Sequence, residues 1–88
     1  MKSEYIYIPF NNSNENYIEE MANLSSKLFH VSADVSSDKK CLQIESENQN
    51  LVSVIVNPVY AIITKIIESD LANEVFETLK VNTKRFCN

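Results

Sequence analysis

From Glu4 to Phe10 the chain alternates, with Tyr5 and Tyr7 on one side and Ile6, Ile8 and Phe10 on the other, the period of two that a strand requires. Pro9 has no backbone N–H and places the end of that strand at an edge or exit. The period then lengthens. Asn12 and Glu15 have the spacing of a capping box, and behind them Ile18, Met21, Ala22, Leu28 and Phe29 recur at helical intervals. Asn16, Glu19, Glu20, Asn23, Ser26 and Lys27 fill the opposite side, so the pattern predicts an amphipathic helix. Val31, Ala33 and Val35 alternate with Ser32, Asp34 and Ser36, a second strand with one wet face. Ser36 to Lys40 reads as a turn, and Leu42 and Ile44, set against Cys41, Gln43 and Glu45, as the second arm of a hairpin.

Between Asn50 and Glu68 propensity and periodicity disagree. Leu51 to Val56 is rich in β-branched residues, and Asn57-Pro58 has the form of an N-cap followed by a first-turn proline, which suggests a strand and then a helix. Against that reading, Asn50, Ser53, Asn57, Ala61, Thr64 and Glu68 fall three or four apart and trace one small or polar strip along a single helix. The spacing therefore predicts one long helix, kinked at Pro58. Ser69 or Asp70 caps a further short helix bearing Leu71, Val75, Phe76 and Leu79. The expected fold is α+β: a small antiparallel sheet in the order strand, helix, strand, strand, helix, with two helices packed on one face and a short C-terminal helix. Residues 1–81 make the single domain and 82–88 a loose tail.

The long segment is more apolar than one sheet contact needs. Val52, Val54, Ile55, Val59, Ile62, Ile63, Ile66 and Ile67 cover more than the roughly 100° stripe of an ordinary surface helix, so part of that surface calls for the C-terminal helix, a second copy or another protein. Size points the same way. At 88 residues, 44% of them hydrophobic, the chain is one folded domain that buries only about 60–65% of its surface, and a partner would help it. The pair Tyr5 and Tyr7 suits a contact between sheets, with stacking on a nucleic-acid base as the sharper alternative.

Composition removes several chemistries. The chain contains no glycine, which excludes the Gly-rich loops that cradle phosphates. One His and two Cys fall one short of the four ligands of a closed zinc site, so neither a metal nor a cofactor is expected. Cys41 and Cys87 read as reduced thiols of an intracellular protein, and His30 as a helix-terminal residue without a nucleophile beside it. Glu19, Glu20, Glu45 and Glu47 read as solvated surface, and Lys80, Lys84 and Arg85 as a basic tail. No apolar run reaches the roughly 18–20 clean residues of a membrane span. A net charge of −4 opposes autonomous binding of nucleic acid.

Taken in order, the strand ending Ile8-Pro9-Phe10, the strand pair around Val31–Val35 and Cys41–Ser46, and the run Val54-Ile55-Val56-Asn57 leading to Ile62-Ile63 and Ile66-Ile67 resemble the Pcc subunit family of the KEOPS (EKC) tRNA-modification complex. The resemblance spans about Glu4 to Ile67. It implies a small accessory subunit without catalytic residues or cofactor, working in the cytoplasm and also in the nucleus. Its long helix, through Ile55, Val59, Ile62, Ile63 and Ile66, would dock on helices of the catalytic threonylcarbamoyl transferase. Its sheet, through Tyr5 and Tyr7, would meet a second copy of itself or a small subunit in that copy's place. Ser53 stands where the family commonly has Arg and Ala61 where it commonly has a charged residue, so contact with tRNA would be indirect. An unrelated acidic interaction module, such as a phage-type inhibitor that mimics nucleic-acid charge, is the alternative. Such a module would cluster its acids, which here are scattered over both halves.

Overall fold

The computed structural model describes residues 4–9 and 16–86. Strand β1 (Glu4–Pro9) precedes helix α1 (Tyr17–Phe29). Then come four strands, β2 (Ser32–Val35), β3 (Cys41–Ser46), β4 (Gln49–Val56) and β5 (Tyr60–Lys65), and helix α2 (Asp70–Phe86). The fold is α+β. Its one five-stranded sheet has the order β1-β5-β4-β3-β2, antiparallel throughout. Because β1 and β2 are opposite edges, α1 carries the chain from one side of the sheet to the other. Both helices lie on the same face, α1 over β2 and β3, and α2 over β5, β4 and β1. Phe10 and the Asn12 and Glu15 pair lie outside the described residues.

Helix α1 buries Ile18, Met21, Ala22 and Ser25, one face at i, i+3, i+4 and i+7. Ser25 is tolerated there because its hydroxyl donates to the Met21 carbonyl at 2.9 Å. Leu28, expected on that face, is exposed instead. The helix ends at His30, whose left-handed φ of 56° and N–H bond to the Ser26 carbonyl form the cap that a glycine usually supplies.

The predicted long helix from Asn50 to Glu68 does not form: β4 and β5 occupy it as a hairpin. The strand-then-helix reading is right for 51–56 and wrong beyond Pro58. Burial follows a period of two, with Val52, Val54 and Val56 on β4 and Ala61, Ile63 and Lys65 on β5 facing the helices. The polar strip that suggested a helix is scattered in space. Ser53 and Thr64 are register partners on the other face, Asn57 is in the turn, and Ala61 is in the core. β-Branched residues at almost every other position stiffen χ1 and favour the pleated strand. Asn57 caps a turn rather than a helix: its Oδ1 accepts the N–H of Val59 at 2.9 Å and of Tyr60 at 3.0 Å, while its own N–H donates to the Tyr60 carbonyl.

The β3–β4 connection places Glu47 and Asn48 at φ 50° and 64°, a two-residue hairpin turn made without glycine. The β2–β3 turn is held by Ser36 Oγ, which accepts the Cys41 N–H at 3.0 Å, and by Asp38 Oδ1, which accepts the Lys40 N–H at 3.0 Å.

Helix α2 is longer than expected. Ser69 Oγ accepts the Ala72 N–H at 3.0 Å as its cap. Ala72, Val75, Phe76, Leu79 and Thr83 then form the buried face. The residues expected to begin a loose tail at Asn82 are helical to Phe86. Buried Thr83 bonds the Tyr17 hydroxyl at 2.6 Å, and the Phe86 ring meets the Tyr17 ring edge-on at 5.1 Å, so the end of α2 is tied to the start of α1. At the other end of α2, the Lys65 ammonium reaches Glu4 Oε1 at 2.8 Å, Glu68 Oε1 at 3.1 Å and Asn73 Oδ1 at 2.6 Å. Its hydrogen bond to Glu4 holds Lys65 above the ordinary lysine range against the opposing effect of burial, and the same bond holds Glu4 below the usual carboxylate range.

Tyr17→Phe and Thr83→Val should each lower stability by about 0.5–1.5 kcal/mol, the net worth of one hydrogen bond. In a urea-denaturation cycle the double variant should lose less than the two single losses added together, by roughly 0.5 kcal/mol or more. Strict additivity would show that the two hydroxyls do not act as a pair.

Candidate functional site

With both helices on one side, the register leaves a defined set of side chains on the other. Tyr7, Ile62, Ile55 and Cys41 form a row across β1, β5, β4 and β3. Tyr5, Thr64, Ser53, Gln43 and Asp34 form the next row, and Glu45 and Ser32 pair beyond it. Tyr60, opposite Pro9, extends the first row towards the β4–β5 turn, its ring 4.8 Å from that of Tyr7. The face is accessible: Tyr5 is 68% exposed, Tyr7 51% and Ile55 50%. The result is an apolar band near the β4–β5 turn that grades into carboxylates on β2 and β3, towards the β3–β4 turn.

The residues singled out from the sequence divide between the two faces. Tyr5 and Tyr7 share the open face. Of the five assigned to a docking helix, Ile55 and Ile62 are register partners on that face, and Val59 is exposed in the turn between their strands. Ile63 is fully buried in the core beneath the helices, out of reach of any partner. Ile66 follows β5 half-buried, its N–H donating to the Leu51 carbonyl at 2.8 Å. They do not form one helical surface, since a strand sends Ile62 and Ile63 to opposite sides. Tyr60 and Cys41 were not assigned to the band, although counting by twos from Ile62 and from Gln43 reaches both. Cys87 lies outside the described residues.

His30 lines a shallow hollow of about 360 Å³ with Ser32, Glu45, Ser46, Glu47 and Asn48, and among the described residues no hydrogen bond aligns it with a nucleophile. Among the described residues, no group of three or more His, Cys, Asp or Glu is placed to hold a metal ion. Glu19 pairs with Lys39 at 2.7 Å on the surface, and Glu77 with Lys80 at 2.8 Å. Among the described residues, no helix is long and apolar enough to cross a membrane.

The carboxylates on the open face behave differently. Side-chain hydrogen bonding to the Asp34 carboxyl on the neighbouring strand, then loss of solvent and the like charge of Asp34, push Glu45 above the usual carboxylate range. No protein-family model matches this chain, and neither does any curated protein or any solved structure.

Because the folded chain holds the Glu45 proton more tightly than an unfolded one does, the associated stability is present at acid pH and is lost as pH rises through the folded value. Asp34→Asn should lower the Glu45 titration midpoint, followed by carbon-detected NMR of its side-chain carboxyl. An unchanged midpoint would assign the shift to desolvation alone.

Proposed function

We propose that this chain is a non-catalytic binding subunit that holds a partner protein against the open face of its sheet. The observation that carries this reading is the band of Tyr7, Tyr60, Ile62 and Ile55, set on paired strands and left uncovered by either helix. Exposed apolar surface of this kind marks interaction sites, and rings and branched side chains fixed on a sheet give up little entropy when a partner covers them. Nucleic acid fits the face poorly, because Asp34 and Glu45 share it and single-strand binding needs cations beside the aromatic rings.

The threonylcarbamoyl-transferase assembly remains the partner set to test first. Support for it now comes from the first strand, the first helix and the β2–β3 pair. The stretch meant to dock as a helix is the β4–β5 hairpin, so in this reading the transferase, or a small subunit beside it, meets the sheet. Contact with tRNA stays indirect, and localisation follows that of the assembly, cytoplasmic or nuclear.

Ile55→Asp in the tagged full chain should leave it folded, at a cost of about 1 kcal/mol for an aspartate in a middle strand. It should weaken recovery of the native partners from the source cell at least tenfold, through a charge buried without a counterion. Val81→Asp on α2, 46% exposed, should change neither. The reading fails if Ile55→Asp keeps every partner and Val81→Asp loses them. Recovery of the transferase with the wild-type chain tests the narrower assignment separately.

A further inference from the structure

We infer that the occupant of the open face is a different protein chain, one that presents an apolar ridge flanked by an arginine or lysine. The ridge would lie along Tyr7, Ile62 and Ile55, and the cation against Asp34 and Glu45. This inference rests on the proposed docking face and adds the chemistry of what docks there.

The argument is one of charge complementarity. Four carboxylates elsewhere in the molecule stand beside cations: Glu4 and Glu68 beside Lys65, Glu19 beside Lys39, and Glu77 beside Lys80. On the open face Asp34 and Glu45 have each other instead, on adjacent strands where the register sets them diagonally. Like charges so placed cost energy that a cation between them would recover. Among the described residues no lysine or arginine lies on that face, and His30, which lines the hollow beside Glu45, is the one titratable base near it. Lys27, Lys80, Lys84 and Arg85 are on the helices, and Lys65 points to the helix side of the sheet. Lys39 and Lys40 lie in the β2–β3 turn, at the opposite end of β3 from Glu45.

The spacing suits one continuous ligand. Glu45 is four residues along β3 from Cys41, which ends the apolar row, a separation of about 13 Å at the usual rise per residue. A side chain beside an apolar ridge crosses part of that distance itself, and arginine is the residue whose planar fork engages two carboxylates at once. A second copy of this chain is the poorer occupant, because its own open face brings the same two acids and no described cation. Covering the acid corner with such a face would bury carboxylates without counterions.

The test is selection of random 20-residue displayed peptides on the full chain, alongside Ile55→Asp, the charge reversal Asp34→Lys with Glu45→Lys, and the neutral pair Asp34→Asn with Glu45→Gln. The wild-type chain should enrich peptides that combine aromatic or aliphatic residues with Arg or Lys. Their binding should fall at least tenfold on the charge-reversed chain and less on the neutral one, and should be lost on Ile55→Asp. Peptides without basic residues that ignore both charge changes yet still need Ile55 would overturn the inference and leave the docking face standing. Basic, apolar peptides indifferent to Ile55→Asp would overturn the docking face itself. Failure to enrich any peptide, or a wild-type dimer in sedimentation at micromolar concentration that Ile55→Asp dissociates, would also overturn it, the latter in favour of a second copy.

Discussion

The pairing of β4 with β5 is the constraint on which the other elements depend. β4 is the middle strand of five, and its register with β5 puts Val52, Val54, Val56, Ala61 and Ile63 beneath the helices while Ser53, Ile55, Ile62 and Thr64 face outward. A slip of one residue would exchange the two sets. The core would then receive hydroxyls and the open face a block of valines. The turn guards against that slip, because the Asn57 side chain binds two successive N–H groups and closes the loop at one length. Everything else is added to this hairpin: β3 and β2 on one side, β1 on the other, and the two helices over its valine face.

How far the sequence could be read depended on whether short-range pattern and tertiary context agreed. They agree in β1, α1, β2 and β3, where alternation or 3.6-residue spacing has one interpretation, and Tyr5 and Tyr7 fall where the period of two puts them. They part at Asn50. A run such as Val54-Ile55-Val56 is apolar in every phase, so a weak strip of polar residues spaced by three or four decides the reading, and that strip is coincidental. Asn57-Pro58 adds to the ambiguity, because an Asn side chain that accepts backbone N–H groups can start a helix or bend a hairpin. Thr83 marks a second limit. A polar residue near a terminus suggests fraying, and only the arrival of Tyr17 from the other end of the chain turns it into a core residue. The candidate surface was readable in its tyrosines alone, since Ile55 and Ile62 join them only once the helix is replaced by strands.

The two faces of the sheet solve different problems. On the helix side even a lysine is accommodated, because Glu4, Glu68 and Asn73 arrive from a strand, a loop and a helix to meet its three N–H groups. On the open side the polar groups are matched less well and the apolar ones are uncovered. In a domain of this size, stability is concentrated in the helix layer and the opposite surface is left free to be specific.

The edge position of β1 bears on how the chain assembles itself. The strands from β2 to β5 are joined by tight connections and can pair as they emerge, each with its immediate predecessor. Strand β1 must instead find β5 across roughly 50 intervening residues, a loop whose closure costs about 2.4 kcal/mol more entropy than a three-residue turn. During synthesis β1 is the first strand made and the last whose partner exists, so for most of that time the nascent chain carries two tyrosines on a strand with nothing to pair with.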